Sequence, residues 1–519
     1  MKRLFKYIFG ISMLMSVYAC KKDLDINTNP NSVTKATVNL VLPNAIVATA
    51  NSIPAYNSMG GQQVGYFANG GGVSGWGGLI SYDWNTGDFA GLWAITYDIL
   101  TDVEYVIKNS EGNETYNEFA AAAKVLKAYN YALLVDTYND VPYTGALKGE
   151  DGLQPKYDKA SDIYKNLGDL LDQSIATFKS TGTASKLFIT ADPLFGGNLS
   201  KWASFAQTLK LRLILKGQGK VTFTNTSFDA SVGFLADDAI VNPGYIKADG
   251  KQNPMWSTWA YNASGTAISA GSQYAVTPWI LTFYSGKKIS DNARADVTFQ
   301  KGLSVPTNQL GYQQADAGRG LAPSSWFKGT SATSYEKIGI LKGPDAGQPL
   351  MLAAESYFLQ AEANVKGLLS GSAATNFDLG ENAAFRYLYK DNTGAVTVGK
   401  DPIADATSYR TTNGTIMLAN FAAATDDAQK LEAIITQKYI AFNMLFGHEA
   451  WNEYRRTGFP KIVVAATPDR LESFVSLVSQ STAADKLPTR IQYPANEFKY
   501  NAANVPTINK YSTKIFWAK

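Results

Sequence analysis

The sequence predicts a mostly α-helical fold: tetratricopeptide-like helical pairs packed against an irregular, loop-rich half with a few short strands. Three observations carry this. Segments within residues 115–216 and 350–446 place apolar residues three and four apart, the spacing of one helix face. Between about 220 and 345 that periodicity lapses. No clean 34-residue period links the helices, so the pairing is that of irregular hairpins rather than a regular repeat array.

Taken in order, Lys2, Arg3 and Lys6 precede an uncharged apolar run, Ile8 to Ala19, that ends at Cys20, the only cysteine of the chain. A basic segment followed by about a dozen apolar residues is the layout of a secretory signal, and is too short to span a bilayer, which takes about 20. Ser16-Val17-Tyr18-Ala19 puts a small residue at the cleavage point. The arrangement resembles a bacterial lipoprotein signal, in which the cysteine is acylated; an ordinary secretory signal with an incidental cysteine is the alternative. Residues 1–19 are thus assigned as signal peptide, 20–38 as lipidated N-terminus and polar tether, and 39–519 as a single domain, since no Pro-rich or charged linker follows residue 35.

Asn39–Ala50 reads as a buried helix. Thr115 and Glu118 form a candidate capping box before the stripe Phe119, Leu126, Tyr129 and Leu133. Asp158–Phe178 repeats the pattern with Ile163, Leu167, Leu171 and Ile175, and Leu199–Lys216 ends at Gly217. Leu350–Leu369 and Asp426–Phe446 follow, the latter capped by Asp426 with Gln429.

Composition excludes several classes of function. Loss of Lys2, Arg3 and Lys6 with the signal leaves 44 basic against 44 acidic side chains, so no basic excess exists to hold nucleic acid. One histidine and one cysteine exclude multi-histidine and cysteine-based zinc sites, and no cofactor or metal is expected. The histidine, His448, follows Gly447 at the expected end of a helix and reads as a capping or packing group.

Two stretches, 36–82 and 252–286, contain no charged side chain in a chain that is 18% charged. The first holds Trp76, Tyr82 and, just beyond it, Trp84, near a glycine cluster that lacks the Gly-Lys-Ser/Thr of a phosphate loop. The second holds Trp256, Trp259, Tyr274 and Trp279 among Asn, Gln and Ser. Aromatic plates stack on the C–H faces of neutral sugars while amides and hydroxyls bond the rim, so these seven residues are the candidate ligand-binding set. The competing reading is that they fill the interface between the helices and the irregular segment.

A glycosidase would need two carboxylates about 5–10 Å apart. Glu355 with Glu362, and Glu449 with Glu453, have suitable spacing on helix faces. Neither pair adjoins an aromatic-rich loop, and ion pairing between packed helices is the simpler reading.

The stretch Lys430-Leu-Glu-Ala-Ile-Ile-Thr-Gln-Lys-Tyr-Ile-Ala-Phe442, running on to Gly447-His-Glu-Ala-Trp-Asn-Glu-Tyr-Arg-Arg-Thr-Gly-Phe-Pro460, resembles the C-terminal signature of the SusD/RagB family. Asp25-Ile-Asn-Thr-Asn-Pro30, Asn139-Asp-Val-Pro-Tyr143, Ala191-Asp-Pro-Leu-Phe-Gly-Gly197, Asp291-Asn-Ala-Arg-Ala-Asp296 and Ala361-Glu-Ala-Asn-Val-Lys-Gly367 are similar to further blocks in the family's order. Asn139 stands where the family has glycine, and the Asp-Pro-Arg block lacks its proline. Lys22-Asp23 with Asp25 resembles the family's surface-export signal. The resemblance implies an outer-membrane, lipid-anchored, cell-surface protein that is not an enzyme. It would capture an oligosaccharide, or in some branches a peptide, as the lid of a SusC-like TonB-dependent importer. The family's binding aromatics lie in variable loops, so no motif position transfers them.

Overall fold

The computed structural model describes residues 36–70, 76–305, 307–311 and 325–519. Cys20, the signal peptide and most of the tether lie outside the described residues. Ten helices of eight or more residues organise the described part: α1 (Val38–Gln63), α2 (Ala90–Ser110), α3 (Asn117–Tyr138), α4 (Ala160–Ser180), α5 (Leu199–Gly217), α6 (Ala353–Val365), α7 (Ala373–Tyr389), α8 (Pro402–Thr412), α9 (Asp427–Ala441) and α10 (Gly447–Thr457). They pack as a continuous stack in which α10 lies on α1, and α1 to α5 each meet the next. α6 and α7 form the closest pair, with α9 against α6 and α8 against α7. The mostly helical, paired architecture is the one the periodicity predicts.

The strands are short: β1 (Phe67–Asn69), β2 (Ala239–Val241), β3 (Tyr274–Val276), β4 (Gly329–Ser331), β5 (Ser334–Tyr335) and β6 (Gln348–Met351). They form two-stranded antiparallel ladders, β1–β3, β2–β6 and β4–β5. Between α5 and α6 the described residues otherwise run through loops and short helices, as expected.

Several boundaries depart from expectation. α1 continues thirteen residues past Ala50, to Gln63, through Pro43 and Pro54. Most of its side chains are buried, so packing outweighs the hydrogen bonds that proline forfeits. Its hydroxyls take up carbonyls ahead of Pro54: Thr49 donates to the Ala45 oxygen and Ser52 to the Thr49 oxygen. The Thr115–Glu118 capping box does not form. Asn113 caps the preceding 3-10 turn, and Glu118 instead accepts the Ser185 backbone N–H at 3.1 Å, tying α3 to a distant loop. Leu350 and Met351, expected to begin a helix, instead end β6, which pairs with β2. Asp426 does cap α9, accepting the Gln429 N–H at 2.8 Å while the Gln429 side chain accepts from Thr425 N–H. α9 stops at Ala441, however, and the chain turns through Phe442–Phe446 into α10. His448 therefore opens a helix rather than closing one. It packs between the Tyr56 and Phe446 rings, at centroid distances of 5.7 and 5.9 Å.

α1 and α10 cross at glycines. A Cβ on Gly60 would lie 2.3 Å from the His448 backbone nitrogen, and one on Gly447 would lie 2.3 Å from that of Gly61. Asn57 locks the crossing, donating to the Met444 oxygen and accepting from Gly447 N–H.

Candidate functional site

The two uncharged stretches meet. β1 comes from the first and β3 from the second, with Asn69 opposite Tyr274 and Phe67 opposite Val276. Thr277 donates its backbone N–H to the Tyr66 oxygen and continues the contact. Missing charge thus has a packing cause: the second stretch packs against α1 and β1 of the first, where an unpaired ion would be costly.

Of the seven candidate aromatics, Trp84, Trp256, Trp259, Trp279 and Tyr82 are each at most 1% exposed. Trp279 donates Nε1–H to the Tyr439 hydroxyl and packs on Phe283 and Phe474. Trp84 sits edge-on among Tyr82, Phe89 and Trp451. The Tyr82 hydroxyl accepts the Ser476 N–H. These five are core residues in this structure, and none presents a face to a ligand. The periodicity-free composition that singled them out could not separate a plate from a wedge.

Trp76 is also buried, at 9% exposed, and only Tyr274 is half-buried; Trp76 meets it edge to face at 5.2 Å. Behind Tyr274 lie Trp259 at 4.5 Å and Phe67 at 4.6 Å. Ser272 and Gln273, both half-buried, precede it in sequence. Trp256 stands three residues before Trp259 in the short helix Pro254–Trp259, and backs a second half-buried ring, Tyr335, at 4.6 Å. Phe327 and Tyr261 complete that cluster. One turn of helix therefore carries two buried indoles, each supporting a tyrosine nearer the surface. Such support fixes the rings in place before a ligand arrives.

Tyr335 was missed by the sequence reading because it lies outside both uncharged stretches. The available signal was the Gly329-Thr-Ser-Ala-Thr-Ser-Tyr335 run, a tight β4–β5 hairpin ending in an aromatic. Burial raises the pKa of the Tyr274, Tyr261 and Tyr335 phenols, with Asp345 adding to the rise at Tyr335. All three hydroxyls keep their protons at neutral pH and can both donate and accept.

The carboxylate pairs considered for hydrolysis are buried and committed to cations. Glu355 meets Arg212 Nε at 2.8 Å, and Glu449 meets Lys216 at 2.7 Å. Lys216 also holds Asp136 at 2.7 Å. Glu362 pairs with Arg456 at 2.6 Å and Lys366 at 2.8 Å, while Glu453 pairs with Arg456 at 2.5 Å and Lys438 at 3.3 Å. These cations overcome desolvation and hold Glu362, Glu449 and Glu453 below the usual carboxylate range. The network fastens α3, α5, α6, α9 and α10 together, so the C-terminal signature is architectural. Among the described residues no cluster of His, Cys, Asp and Glu could hold a metal ion.

A family model described as SusD-like, starch-binding and associating with the outer membrane, matches residues 30–494. The chain belongs to the SusD-like family. No curated protein matches it. A SusD homolog from Bacteroides uniformis aligns with a TM-score of 0.65 at 22% identity, covering 92% of this chain and 99% of that one. One from Parabacteroides distasonis gives 0.66 at 19%, covering 93% and 97%. A chitin-binding SusD homolog from Flavobacterium johnsoniae gives 0.65 at 20%, covering 92% and 98%. At these identities the SusD-like structures establish the shared fold. No helix among the described residues is long and apolar enough to cross a membrane.

Proposed function

We propose that this protein is a non-catalytic, cell-surface lipoprotein, anchored in the outer membrane through Cys20, that captures a neutral oligosaccharide. It then serves as the lid of a SusC-like TonB-dependent importer. The observation that carries the ligand half is Tyr274, the one half-buried ring among the seven candidate aromatics, in a neutral setting with Trp76 at its edge and Trp259 fixed behind it. Tyr335 over Trp256 extends the aromatic lining. Membership of a family described as starch-binding and associated with the outer membrane supports the same reading, and so does the chitin-binding homolog from Flavobacterium johnsoniae. Hydrolysis is disfavoured because every carboxylate considered for it is already spent on an ion pair.

Calorimetric titration of the protein with a panel of neutral polysaccharides and oligosaccharides tests this. Binding should weaken about tenfold in Trp76→Ala/Tyr274→Ala, since stacking of this kind contributes about 0.5–1.5 kcal/mol per ring pair. Binding of peptides but of no glycan would overturn the carbohydrate half and keep the transport half. Copurification of a large outer-membrane barrel protein with the wild type tests the partner.

A further inference from the structure

Two adjoining clefts open on the helical layer, on elements that take no part in the Trp76–Tyr274 face. One, of about 410 Å³, lies between the end of α4 and the start of α5 and is closed by Ser231 and Val232. The other, of about 720 Å³, runs between α4 and the loop 225–229. Lys179 lines both and is ion-paired to Asp229, forming a bar where they join. Volumes of this order suit a ligand of several rings.

The groove is built rigidly. Gln207, 2% exposed, donates Nε2–H to the Asp229 and Gly233 oxygens and accepts the Asp229 N–H, pinning the loop to α5. Lys210, 1% exposed, donates to Asp172 at 2.7 Å and to the Ser227 oxygen at 2.9 Å. Its ammonium lies 5.5 Å from the centre of the half-buried Phe228 ring, which also packs on Phe234 at 5.5 Å. Asn225 donates to the second oxygen of Asp172 at 3.1 Å. A fixed aromatic ring thus stands beside a rim of carboxylate, amide and hydroxyl groups.

The electrostatics select the ligand class. Each cation of the groove faces its own carboxylate, Lys179 with Asp229 and Lys210 with Asp172. No charge is left over to attract a polyanion or a cation. The walls are helices and a loop, so no strand edge is offered to an extended peptide. A neutral chain of hydroxyl-bearing rings meets both requirements.

We propose that this groove is a second, independent site for a neutral oligosaccharide, with Phe228 stacking on a sugar ring and Asp172, Asn225 and Ser227 bonding its hydroxyls. It shares with the proposed function only the ligand class.

The test is hydrogen exchange and calorimetry on the full chain in detergent, with maltohexaose and chitohexaose as probes and a tryptic peptide mixture as the control. One of the hexasaccharides should protect backbone amides in 172–180 and 225–231, in the wild type and equally in Trp76→Ala/Tyr274→Ala. Phe228→Ala should weaken that binding about tenfold, and the exposed Asn225→Ala, which leaves the ring in place, should weaken it severalfold. Protection confined to 268–276, unchanged in Phe228→Ala, would overturn the second site and leave the proposed function standing. Protection confined to the groove and abolished by Phe228→Ala would uphold this site and remove the Trp76–Tyr274 one. Protection of the groove by peptides alone would overturn its ligand class, and no protection by any probe would overturn both sites.

Discussion

Adding one methyl group at Gly60 should destabilise the fold, while adding one at Gly91 should not. Both glycines are helical, and alanine is worth about 0.5–1 kcal/mol over glycine in a helix when there is room for it. At Gly91, near the start of α2 and exposed, nothing lies within 4 Å of the added carbon. Its position in the first turn limits the gain to a few tenths of a kcal/mol. At Gly60 the same carbon would stand 2.3 Å from the His448 nitrogen and 2.4 Å from the Gly447 carbonyl carbon and oxygen. These are backbone atoms and cannot swing aside. α1 and α10 would have to part by about 1 Å to restore ordinary contact, with overpacking costs of about 1–3 kcal/mol. Parting them stretches both Asn57 hydrogen bonds, at 2.9 and 2.8 Å, each worth about 1 kcal/mol. Set against the propensity gain, the net loss for Gly60→Ala is about 2–3 kcal/mol. For 519 residues the unfolding entropy is about 1 kcal/mol per degree, so the melting temperature should fall by about 2–3 °C. Urea denaturation of the two variants side by side is the more sensitive assay. If Gly60→Ala matched Gly91→Ala in sign, the close helix crossing would not be what this position requires glycine for.

Burial lowers the pKa of His448 to about 4, below its usual 6.5, with Arg212 and Lys216 helping and Glu449 opposing. Between those values the unfolded chain binds the extra proton. The neutral imidazole's stability is therefore fully present above pH 6.5 and is lost as pH falls toward 4, by about 3 kcal/mol. Denaturant midpoints at pH 7 and 4.5 should diverge less in His448→Phe than in the wild type. Lys216→Met would strand Asp136 and Glu449 without their shared cation, and equilibrium unfolding should show a loss of about 3–5 kcal/mol. Trp259→Ala should cost about 3–5 kcal/mol of stability and also weaken ligand binding, whereas Tyr274→Ala should weaken binding with a far smaller change in melting temperature. Cys20→Ala should leave the membrane fraction while its ligand affinity is unchanged, as fractionation and calorimetry can establish.

The helical class was legible because burial of one face imposes a 3.6-residue period on composition, and α4 carries that period from Ala160 to Phe178. α1 was only half legible. A helix buried on most sides has no polar face to mark its phase, and its two prolines read locally as stops. The function class came from local motifs, above all 430–460, yet those motif residues turn out to bind helices together rather than a ligand.

What the sequence determined by itself was therefore the period, the charge balance, the family signature and the absence of ions from two stretches. These are properties of neighbouring residues, or of counts, and need no folded coordinates. Only the tertiary structure decided what the uncharged aromatics do. Burial of a ring depends on which distant segment lies over it, and pairing β1 with β3 across some 200 residues placed Trp259 beneath Tyr274 and Trp76 at its edge. Long-range helix packing likewise joined Glu355 on α6 and Glu449 on α10 to Arg212 and Lys216 on α5. Side chains of one type, in one kind of local sequence, were thereby divided into supports and surface.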